Sequence, residues 1–288
     1  MSTLIIGCGY LGQRLGLLLR QDGGRVFGTV RSSGRAAEIA GLGIEPVIAD
    51  VLQPDSFRGL PRADRVFYCV GFDRSAGAAM RAVYVDGLQN VLENLPPSVG
   101  RFVYASSTGV YGQAGGEWVD EDSPTCPLHE SGKVCLEAEG RVRAWAESRS
   151  VSAVVLRFAG LYGPGRIVRR TILERGEPIP GDPDKFLNMV HIEDAARVAA
   201  SALDADEPEP IYVVGDNRPV TRREYYAVAA RALAAPEPRF APPPAGSPEA
   251  ARDATNKRAA NLRMKRGLGI TLLYPDITTG LPEALRPS

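Results

Sequence analysis

The segment HESGK places an imidazole and an ammonium group close together. His129 and Lys133 are four residues apart at the start of a helical pattern, so both lie on one face of the helix. Imidazole titrates near neutral pH and a neighbouring positive charge favours its neutral form, so His129 could act as a general acid or base. The other interpretation is a polar residue at a helix start with no chemical role.

A serine hydrolase is a second interpretation of this region. Ser107 and His129 could form a triad with a carboxylate, because a serine needs an adjacent base to become a nucleophile. The chain has no Gly-x-Ser-x-Gly turn, which exposes the nucleophile in one large class of hydrolases. A triad would also leave the glycine-rich loop near residue 7 unexplained, so the sequence disfavours this class.

A glycine-rich loop follows the first apolar run of the chain. Gly7, Gly9 and Gly12 have the spacing Gly-x-Gly-x-x-Gly, with Tyr10 and Leu11 in the last interval. Gly7 permits a tight turn, Gly9 lets the backbone approach a pyrophosphate, and Gly12 lets helix and strand pack closely. The helix that begins here offers free N–H groups to an anion. The sequence therefore predicts a dinucleotide site that contains these residues.

The residues after the second apolar run favour NADP over NAD. An NAD site usually has a carboxylate there for the ribose 2′-hydroxyl, whereas this chain has Arg31 and Ser32. A guanidinium and a hydroxyl group suit a 2′-phosphate, and NAD is the alternative cofactor. The other interpretation of Arg31 is a solvated surface residue. We expect Asp50 and Val51 near the adenine and Val70 near the inner ribose.

Composition excludes several other functions. The 34 basic residues balance 34 acidic ones, so the chain lacks the positive excess that binds nucleic acid or anionic membranes. No apolar run has the length of a membrane helix, and the first strand begins at residue 3, which leaves no room for a signal peptide. We therefore expect a cytoplasmic protein. The four cysteines lack Cys-x-x-Cys spacing, so neither a metal nor a disulfide framework is indicated.

Apolar runs alternate with helical segments over residues 3–157. The runs are TLII, RVFGTV, EPVIA, RVFYCV, RFVYAS and SAVVLR. Such alternation predicts an α/β fold with a doubly wound parallel sheet of Rossmann type. We expect an NAD(P)-binding domain over residues 1–160 and a small mixed α/β substrate lobe over residues 161–288, interleaved with the sheet. Residues 235–250 are rich in proline and are predicted to form a loop.

Further segments extend the glycine loop into a family pattern. They are YVDGLQNVL (84–92), FVYASSTGVYG (102–112), LRFAGLYGPG (156–165) and NMVHIEDAA (188–196). With the glycine loop they resemble the extended short-chain dehydrogenases/reductases, also called the NAD-dependent epimerase/dehydratase superfamily. The resemblance runs nearly end to end. Within the superfamily the chain is most similar to an atypical bacterial branch, the YeeZ-like proteins.

The resemblance implies a catalytic set of serine, tyrosine and lysine. Ser107 matches the serine that orients the substrate oxygen, and Lys133 matches the lysine that holds the nicotinamide ribose. His129 stands where the family has the tyrosine that exchanges a proton with the substrate. The catalytic residues implied here are therefore Ser107, His129 and Lys133. Imidazole is shorter than phenol, so proton transfer by His129 needs the substrate or the backbone to move closer.

Two other departures from the family concern the substrate and its lobe. Gly160 stands where the family often has an asparagine that contacts the diphosphate of a nucleotide sugar. The segment between the Gly-Pro turn and HIED is also short. Both departures imply a small-molecule substrate other than a nucleotide sugar, or none. Family members often dimerise through helices packed on the sheet, so the resemblance is compatible with a homodimer.

Two functions are compatible with these observations. The first is an NADP-preferring oxidoreductase or epimerase-like enzyme with an altered acid/base residue. The second is a catalytically weak or inactive NADP(H)-binding protein that senses the cellular redox state. Turnover of a carbonyl compound would support the first, and tight cofactor binding without turnover would support the second.

Overall fold

The computed structural model describes residues 1–286 and contains a seven-stranded parallel sheet. In chain order the strands are β1 (Ser2–Ile6), β2 (Arg25–Val30), β3 (Glu45–Ile48), β4 (Arg65–Tyr68), β5 (Arg101–Ser107), β6 (Glu117–Val119), β7 (Ser152–Phe158), β8 (Gly160–Tyr162), β9 (Ile179–Pro180), β10 (Phe186–Leu187), β11 (Met189–His191), β12 (Ile211–Val214), β13 (Val220–Thr221), β14 (Phe240–Ala241) and β15 (Lys257–Ala259).

The helices are α1 (Tyr10–Gln21), α2 (Ser33–Gly41), α3 (Gly87–Asn94), α4 (Glu130–Arg149), α5 (Arg170–Glu174), α6 (Ile192–Asp204), α7 (Arg222–Leu233), α8 (Pro248–Asp253), α9 (Leu262–Gly267) and α10 (Ile277–Ala284). A π-helical turn at Ala82–Asp86 leads into α3. A 3₁₀ turn at Thr108–Val110 follows β5. Within the part of the chain that the structure describes, none of these helices combines the length and apolar character needed to span a lipid bilayer.

The strand order across the sheet is β12-β7-β5-β4-β1-β2-β3, and neighbouring strands are parallel. The chain first runs outwards from β1 to β3. It then returns to pair β4 with the other side of β1. In open parallel sheets this reversal opens a crevice at the carboxyl ends of the strands, where ligands bind.

The central strands are apolar throughout because helices cover both faces of the sheet. In β1 the side chains alternate between two cores: Ile5 packs on one face, and Leu4 and Ile6 pack on the other. The first core contains residues of α1 and α6, and the second contains residues of α3 and α4. The predicted Rossmann-type fold is confirmed, and the six apolar runs form β1 to β5 and β7.

A smaller lobe stands beside the sheet. Its core contains residues of α5, α7 and α10, and its strands form two-stranded ladders such as β8 with β11 and β10 with β13. The chain passes between the two regions, because β12 returns from the later part of the sequence to become the edge strand next to β7. The division at residue 160 remains a prediction.

The proline-rich segment over residues 235–250 is not a loop throughout, and this prediction was wrong in part. It contains β14, which pairs with β9, and the start of α8. In the ladder, the carbonyl groups of Arg239 and Ala241 accept hydrogen bonds from the N–H groups of Ile179 and Gly181, 2.8 and 2.9 Å away. The flanking prolines do not weaken this ladder, because none of its hydrogen bonds needs a proline N–H group.

Candidate functional site

A cleft of about 870 Å³ opens at the carboxyl ends of the parallel strands. The loops after β1, β2, β3, β4, β5 and β7 form its walls. The structure brings most of the predicted site residues together here. The lining residues include Gly7, Gly9, Tyr10, Leu11, Arg31, Ser32, Asp50, Val51, Val70 and Ser107. Residues that are far apart in the sequence therefore meet along one groove.

The three glycines of the loop have different surroundings. Gly7 has φ +88°, and a Cβ there would lie 2.8 Å from the Val70 Cα. At Gly12 a Cβ would lie 2.9 Å from Cγ2 of Ile5, so this glycine allows close packing of α1 on β1. At Gly9 the nearest atom is 4.0 Å away, so the position is open towards the cleft. Only Gly9 leaves room that a ligand could occupy.

The second strand ends in a polar rim. The Arg31 guanidinium lies 3.2 Å from the Asp73 carboxylate, and both side chains are exposed. The Ser32 hydroxyl accepts a hydrogen bond from the Arg35 N–H at the start of α2. Hydrogen bonds from Ser75, and then from Arg31, lower the pKa of Asp73. A carboxylate therefore does stand at this rim, but it comes from the loop after β4.

The third strand contributes a turn that is ordered by its own side chains. Asp50 accepts a hydrogen bond from the Leu52 N–H at 3.0 Å, and its own N–H donates to the Ser56 hydroxyl. The carbonyl of Val51 accepts a hydrogen bond from the side chain of Asn90 on α3. These contacts hold the turn where it faces the cleft.

Two thiols lie beneath the glycine loop. Burial raises the pKa of Cys8 to about 12 and that of Cys69 well above its ordinary value. The Cys69 thiol donates to the Gly7 carbonyl at 3.3 Å. Both groups are protonated at neutral pH and do not serve as thiolate nucleophiles there.

The three residues matched to the family's catalytic set occupy different places. Ser107 lines the cleft, and its hydroxyl accepts a 3.0 Å hydrogen bond from the Gly109 N–H. His129 precedes α4 and its carbonyl accepts from the N–H groups of Gly132 and Lys133. A Cβ at Gly132 would overlap the Gly109 carbonyl, so α4 begins tightly packed against the turn after Ser107. Neither His129 nor Lys133 is among the lining residues, and Lys133 is exposed.

A buried polar network fixes α4 to the sheet. Glu139 and Arg157 are 1% and 3% exposed and make a two-pronged ion pair with contacts of 2.8 and 3.1 Å. The Ser106 hydroxyl donates to Glu139 at 2.5 Å, and Arg157 donates to the Tyr111 hydroxyl at 2.8 Å. The network therefore joins α4, β5 and β7 directly behind the cleft.

Among the cleft residues that the sequence-based site omitted, Tyr84 and Arg166 have large polar side chains. Tyr84 is the first residue of the YVDGLQNVL segment, and Arg166 directly follows the Gly-Pro-Gly turn. The guanidinium of Arg166 lies 5.4 Å from the ring centre of Tyr10, whose hydroxyl donates to the Pro164 carbonyl. The motifs mark both places in the sequence, but only the fold shows that these side chains face the groove.

Gly160, the position at which the family resemblance implies an asparagine, also lines the cleft. A Cβ there would lie 2.9 Å from the Met189 sulfur and 3.2 Å from the Asn188 carbonyl. An asparagine would not fit without a local shift.

The polar cluster HIED spans the end of β11 and the start of α6. His191 is fully buried, and its Nδ1 accepts from the Glu193 N–H at the start of α6. Burial lowers the pKa of His191 to about 4. The Asp194 carboxylate accepts hydrogen bonds from the N–H groups of Leu273 and Tyr274. These contacts join α6 to the C-terminal region and lie outside the cleft.

The cleft fits a dinucleotide. Gly9 leaves open space beside the first turn of α1, where the N–H groups at a helix start bind anions well. The groove continues from there to the polar rim on one side and to Ser107 on the other. Its open glycine and its position at the strand-order reversal match what a bound pyrophosphate with two nucleoside ends requires.

Comparisons with known proteins agree with this geometry. Residues 3–215 match the model of the NAD dependent epimerase/dehydratase family. The Escherichia coli K12 protein YeeZ is 30% identical over 248 residues, which cover 83% of this chain and 86% of YeeZ. The resemblance to the YeeZ-like branch is therefore confirmed.

Solved structures show the same architecture. A Methylobacillus flagellatus protein, assigned provisionally as an NAD-dependent epimerase/dehydratase, superposes with a TM-score of 0.79 at 32% identity, over 99% of this chain and 97% of that one. The UDP-glucose 4-epimerase of Thermus thermophilus, solved with NAD, superposes with a TM-score of 0.80 at 22% identity, with the same coverage. At 22% identity, the comparison with the epimerase shows a shared fold only. The chain thus belongs to the NAD-dependent epimerase/dehydratase family of extended short-chain dehydrogenases/reductases.

Proposed function

We propose that the protein is an NADP-preferring oxidoreductase or epimerase-like enzyme with an atypical active site. The observation that carries this proposal is the glycine loop, in which Gly9 alone leaves open space at the start of α1. Arg31 and Ser32 at the rim support NADP, because a guanidinium and a hydroxyl group suit a 2′-phosphate. The substrate in this proposal is a small carbonyl or hydroxyl compound.

A bound nicotinamide dinucleotide would supply or accept a hydride in this cleft. Ser107 is suited to orient the substrate oxygen, because its hydroxyl lies in the cleft wall. We assign Lys133 to the ribose hydroxyls and His129 to the position of the family's proton-transfer residue. In this proposal the atypical set Ser107, His129 and Lys133 replaces serine, tyrosine and lysine.

A second function is favoured by one specific observation. His129 and Lys133 do not line the cleft, although Ser107 does. A protein that holds the dinucleotide but lacks a well-placed proton donor would bind NADP(H) with weak or no turnover. Such a protein could report the ratio of reduced to oxidised cofactor.

The Gly9→Val variant tests the proposed site. A Cβ there meets no atom closer than 4.0 Å, and the valine methyl groups beyond it would fill the space of the pyrophosphate. We expect calorimetry to show that Gly9→Val abolishes NADPH and NADH binding while the melting temperature stays close to that of the wild type. Gly41→Val is the matched control, because a Cβ at Gly41 meets no atom within 4 Å and the residue is outside the cleft.

Two results would contradict the proposal. Folded wild-type protein that binds neither NAD nor NADP, in either redox state, would exclude the function. Unchanged binding by Gly9→Val would exclude this loop as the pyrophosphate site.

A further inference from the structure

We propose that Tyr84 donates the proton to the substrate oxygen, an inference that rests on the proposed oxidoreductase function. The proposal supplies the phenol that the HESGK segment lacks. Three observations carry it: the position of Tyr84 in the cleft wall, the hydrogen bond that fixes its hydroxyl, and the backbone turn that presents it.

The Tyr84 phenol is held at its ring and at its hydroxyl. The ring packs against the core beneath α3 and α4, and its centre lies 6.1 Å from that of Phe72. The hydroxyl oxygen accepts a 3.1 Å hydrogen bond from the Phe72 N–H, directly after Gly71. Among residues 1–286 no hydrogen bond uses the Tyr84 hydroxyl hydrogen, so this hydrogen is available to a substrate oxygen.

The backbone around Tyr84 is unusual. The residue lies in the π-helical turn Ala82–Asp86, and such turns occur often at functional sites. The turn packs against α4, the helix that begins after His129. Tyr84 therefore projects into the groove between the end of β4 and the start of α4. Ser107, at the end of the neighbouring strand β5, lines the same groove.

Several titratable groups surround the phenol. Burial raises the pKa of Tyr84, the nearby Cys135 thiol on α4 raises it further, and Arg166 across the cleft lowers it. The buried phenols of Tyr68 and Tyr104 complete the cluster. The Tyr84 hydroxyl is thus protonated at neutral pH, which is the form that a proton donor needs.

His129 is less well placed for this step. Its residue stands before the first turn of α4 and is not part of the cleft wall, whereas Tyr84 is. The imidazole is also shorter than a phenol. A proton donor must come within about 3 Å of the substrate oxygen, so the group that already faces the groove is favoured.

A bound reduced nicotinamide would supply a hydride to the carbonyl carbon, and the two electrons of the C=O π bond would move to oxygen. The Tyr84 O–H bond breaks, its electron pair stays on the phenolate, and a new O–H bond forms on the substrate. The phenolate then regains a proton from water, and Ser107 holds the substrate oxygen throughout.

Tyrosine labelled with carbon-13 at Cζ gives a test that needs no substrate. The Tyr84→Phe variant assigns the Tyr84 signal, and Tyr225→Phe assigns a control, because the Tyr225 hydroxyl also accepts a backbone hydrogen bond, from Val168, but lies in the smaller lobe. NADP⁺ is compared with adenosine 2′,5′-bisphosphate, which lacks the nicotinamide half. We expect the Tyr84 signal to move with NADP⁺ and not with the bisphosphate, and the Tyr225 signal to move with neither.

Kinetics with NADPH and a panel of aldehydes and ketones provide the second readout. Tyr84→Phe should lower kcat by about 10² to 10⁴-fold with little change in NADPH affinity, whereas Tyr225→Phe should remain near the wild-type rate. A Tyr84 signal unmoved by bound NADP⁺ would overturn the assignment. So would full activity of Tyr84→Phe. Calorimetry distinguishes failure of the Tyr84 assignment from failure of the proposed function. A wild type that binds no dinucleotide contradicts the proposed function itself.

Discussion

Arg31 is the residue on which the choice of cofactor depends. Its guanidinium is exposed at the rim of the cleft and pairs with Asp73 at 3.2 Å. An exposed ion pair of this kind is weak because water and salt screen it, so a 2′-phosphate can compete for the guanidinium. The Asp73 carboxylate also repels a phosphate, so it reduces the preference for NADP over NAD that Arg31 provides.

We expect the wild type to bind NADPH more tightly than NADH in calorimetry. Charge-assisted hydrogen bonds to a phosphate contribute about 1.5 to 3 kcal/mol, so Arg31→Asp should weaken NADPH binding by roughly ten- to a hundredfold and reverse the preference. Asp73→Asn should strengthen NADPH binding. Arg58→Asp is the control, because Arg58 forms a similarly exposed pair with Asp55 outside the cleft. Equal or tighter NADH binding by the wild type would refute the prediction.

At the level of single residues, local spacing predicted what depends on neighbours in the chain. The three glycines differ in the structure as their spacing predicts, because a turn and a helix start are short-range features. Asp73 could not be inferred, since it reaches Arg31 only through the pairing of β1 with β4. Tyr84 was likewise hidden, because its orientation depends on a π-helical turn that no periodicity indicates.

Helix α4 is the element that carries HESGK, and one buried ion pair anchors it. Glu139 on α4 meets Arg157 on β7 out of contact with solvent. A buried pair is weak evidence of net stability, but the loss of one partner leaves an uncompensated charge in the core. The pair therefore restricts α4 to positions against the sheet in which Glu139 and Arg157 stay in contact.

Glu139→Gln should lower the free energy of unfolding by about 3 to 5 kcal/mol in urea titrations, because Arg157 remains charged and buried. Glu137→Gln is the matched control on the same helix, since Glu137 is more exposed and pairs with Arg81 at the surface. Its effect should stay within about 0.5 kcal/mol. Equal effects of the two variants would show that the buried pair does not anchor α4.

The sequence predicted α4 only in part. In the sequence, Cys135, Ala138, Val142 and Trp145 form an apolar stripe of helical period, and in the structure Ala138 and Val142 are fully buried. From the sequence, Glu139 would be predicted to be a solvent-exposed acid. Its partner Arg157 lies 18 residues later, on a different element, so the local pattern does not reveal the ion pair. Periodicity shows which face of a helix is apolar, but it does not show which charges the fold will pair inside.

At the scale of the whole molecule, the alternation of runs and helices was enough to predict the sheet and the edge where the cleft lies. Six strands follow each other with strong apolar patterns. The seventh, β12, was missed because it follows the ladders of the smaller lobe, far from the other six strands in the sequence. The pairing of β12 with β7 depends on the tertiary fold. The sequence alone therefore does not show where the sheet region ends and the smaller lobe begins.

Two buried groups make the stability of the whole fold depend on pH in opposite directions. The Glu283 carboxylate lies 2.9 Å from Nε2 of His191 and favours the charged imidazole, but burial outweighs it and lowers the pKa of His191 to about 4. Stability therefore falls as pH decreases from about 6.5, where the unfolded chain takes up a proton. Burial, assisted by Asp276, raises the pKa of Asp216 to about 8. The unfolded chain loses that proton near pH 3.9, so stability falls as pH rises from about 4 to 8. The two effects oppose each other below about pH 6.5.

A comparison of the wild type with Asp216→Asn isolates the second effect, because His191 titrates in both proteins. The asparagine has nearly the same shape and cannot ionise, so the variant should gain stability over the wild type as pH rises from 5 to 8. The slope has an upper limit of about 1.4 kcal/mol per pH unit, and we expect a total gain of at least about 1 kcal/mol in urea titrations. Asp22→Asn, at an exposed aspartate after α1, should show no such trend. A difference between Asp216→Asn and wild type that does not change with pH would mean that the Asp216 carboxyl group is ionised in the folded protein.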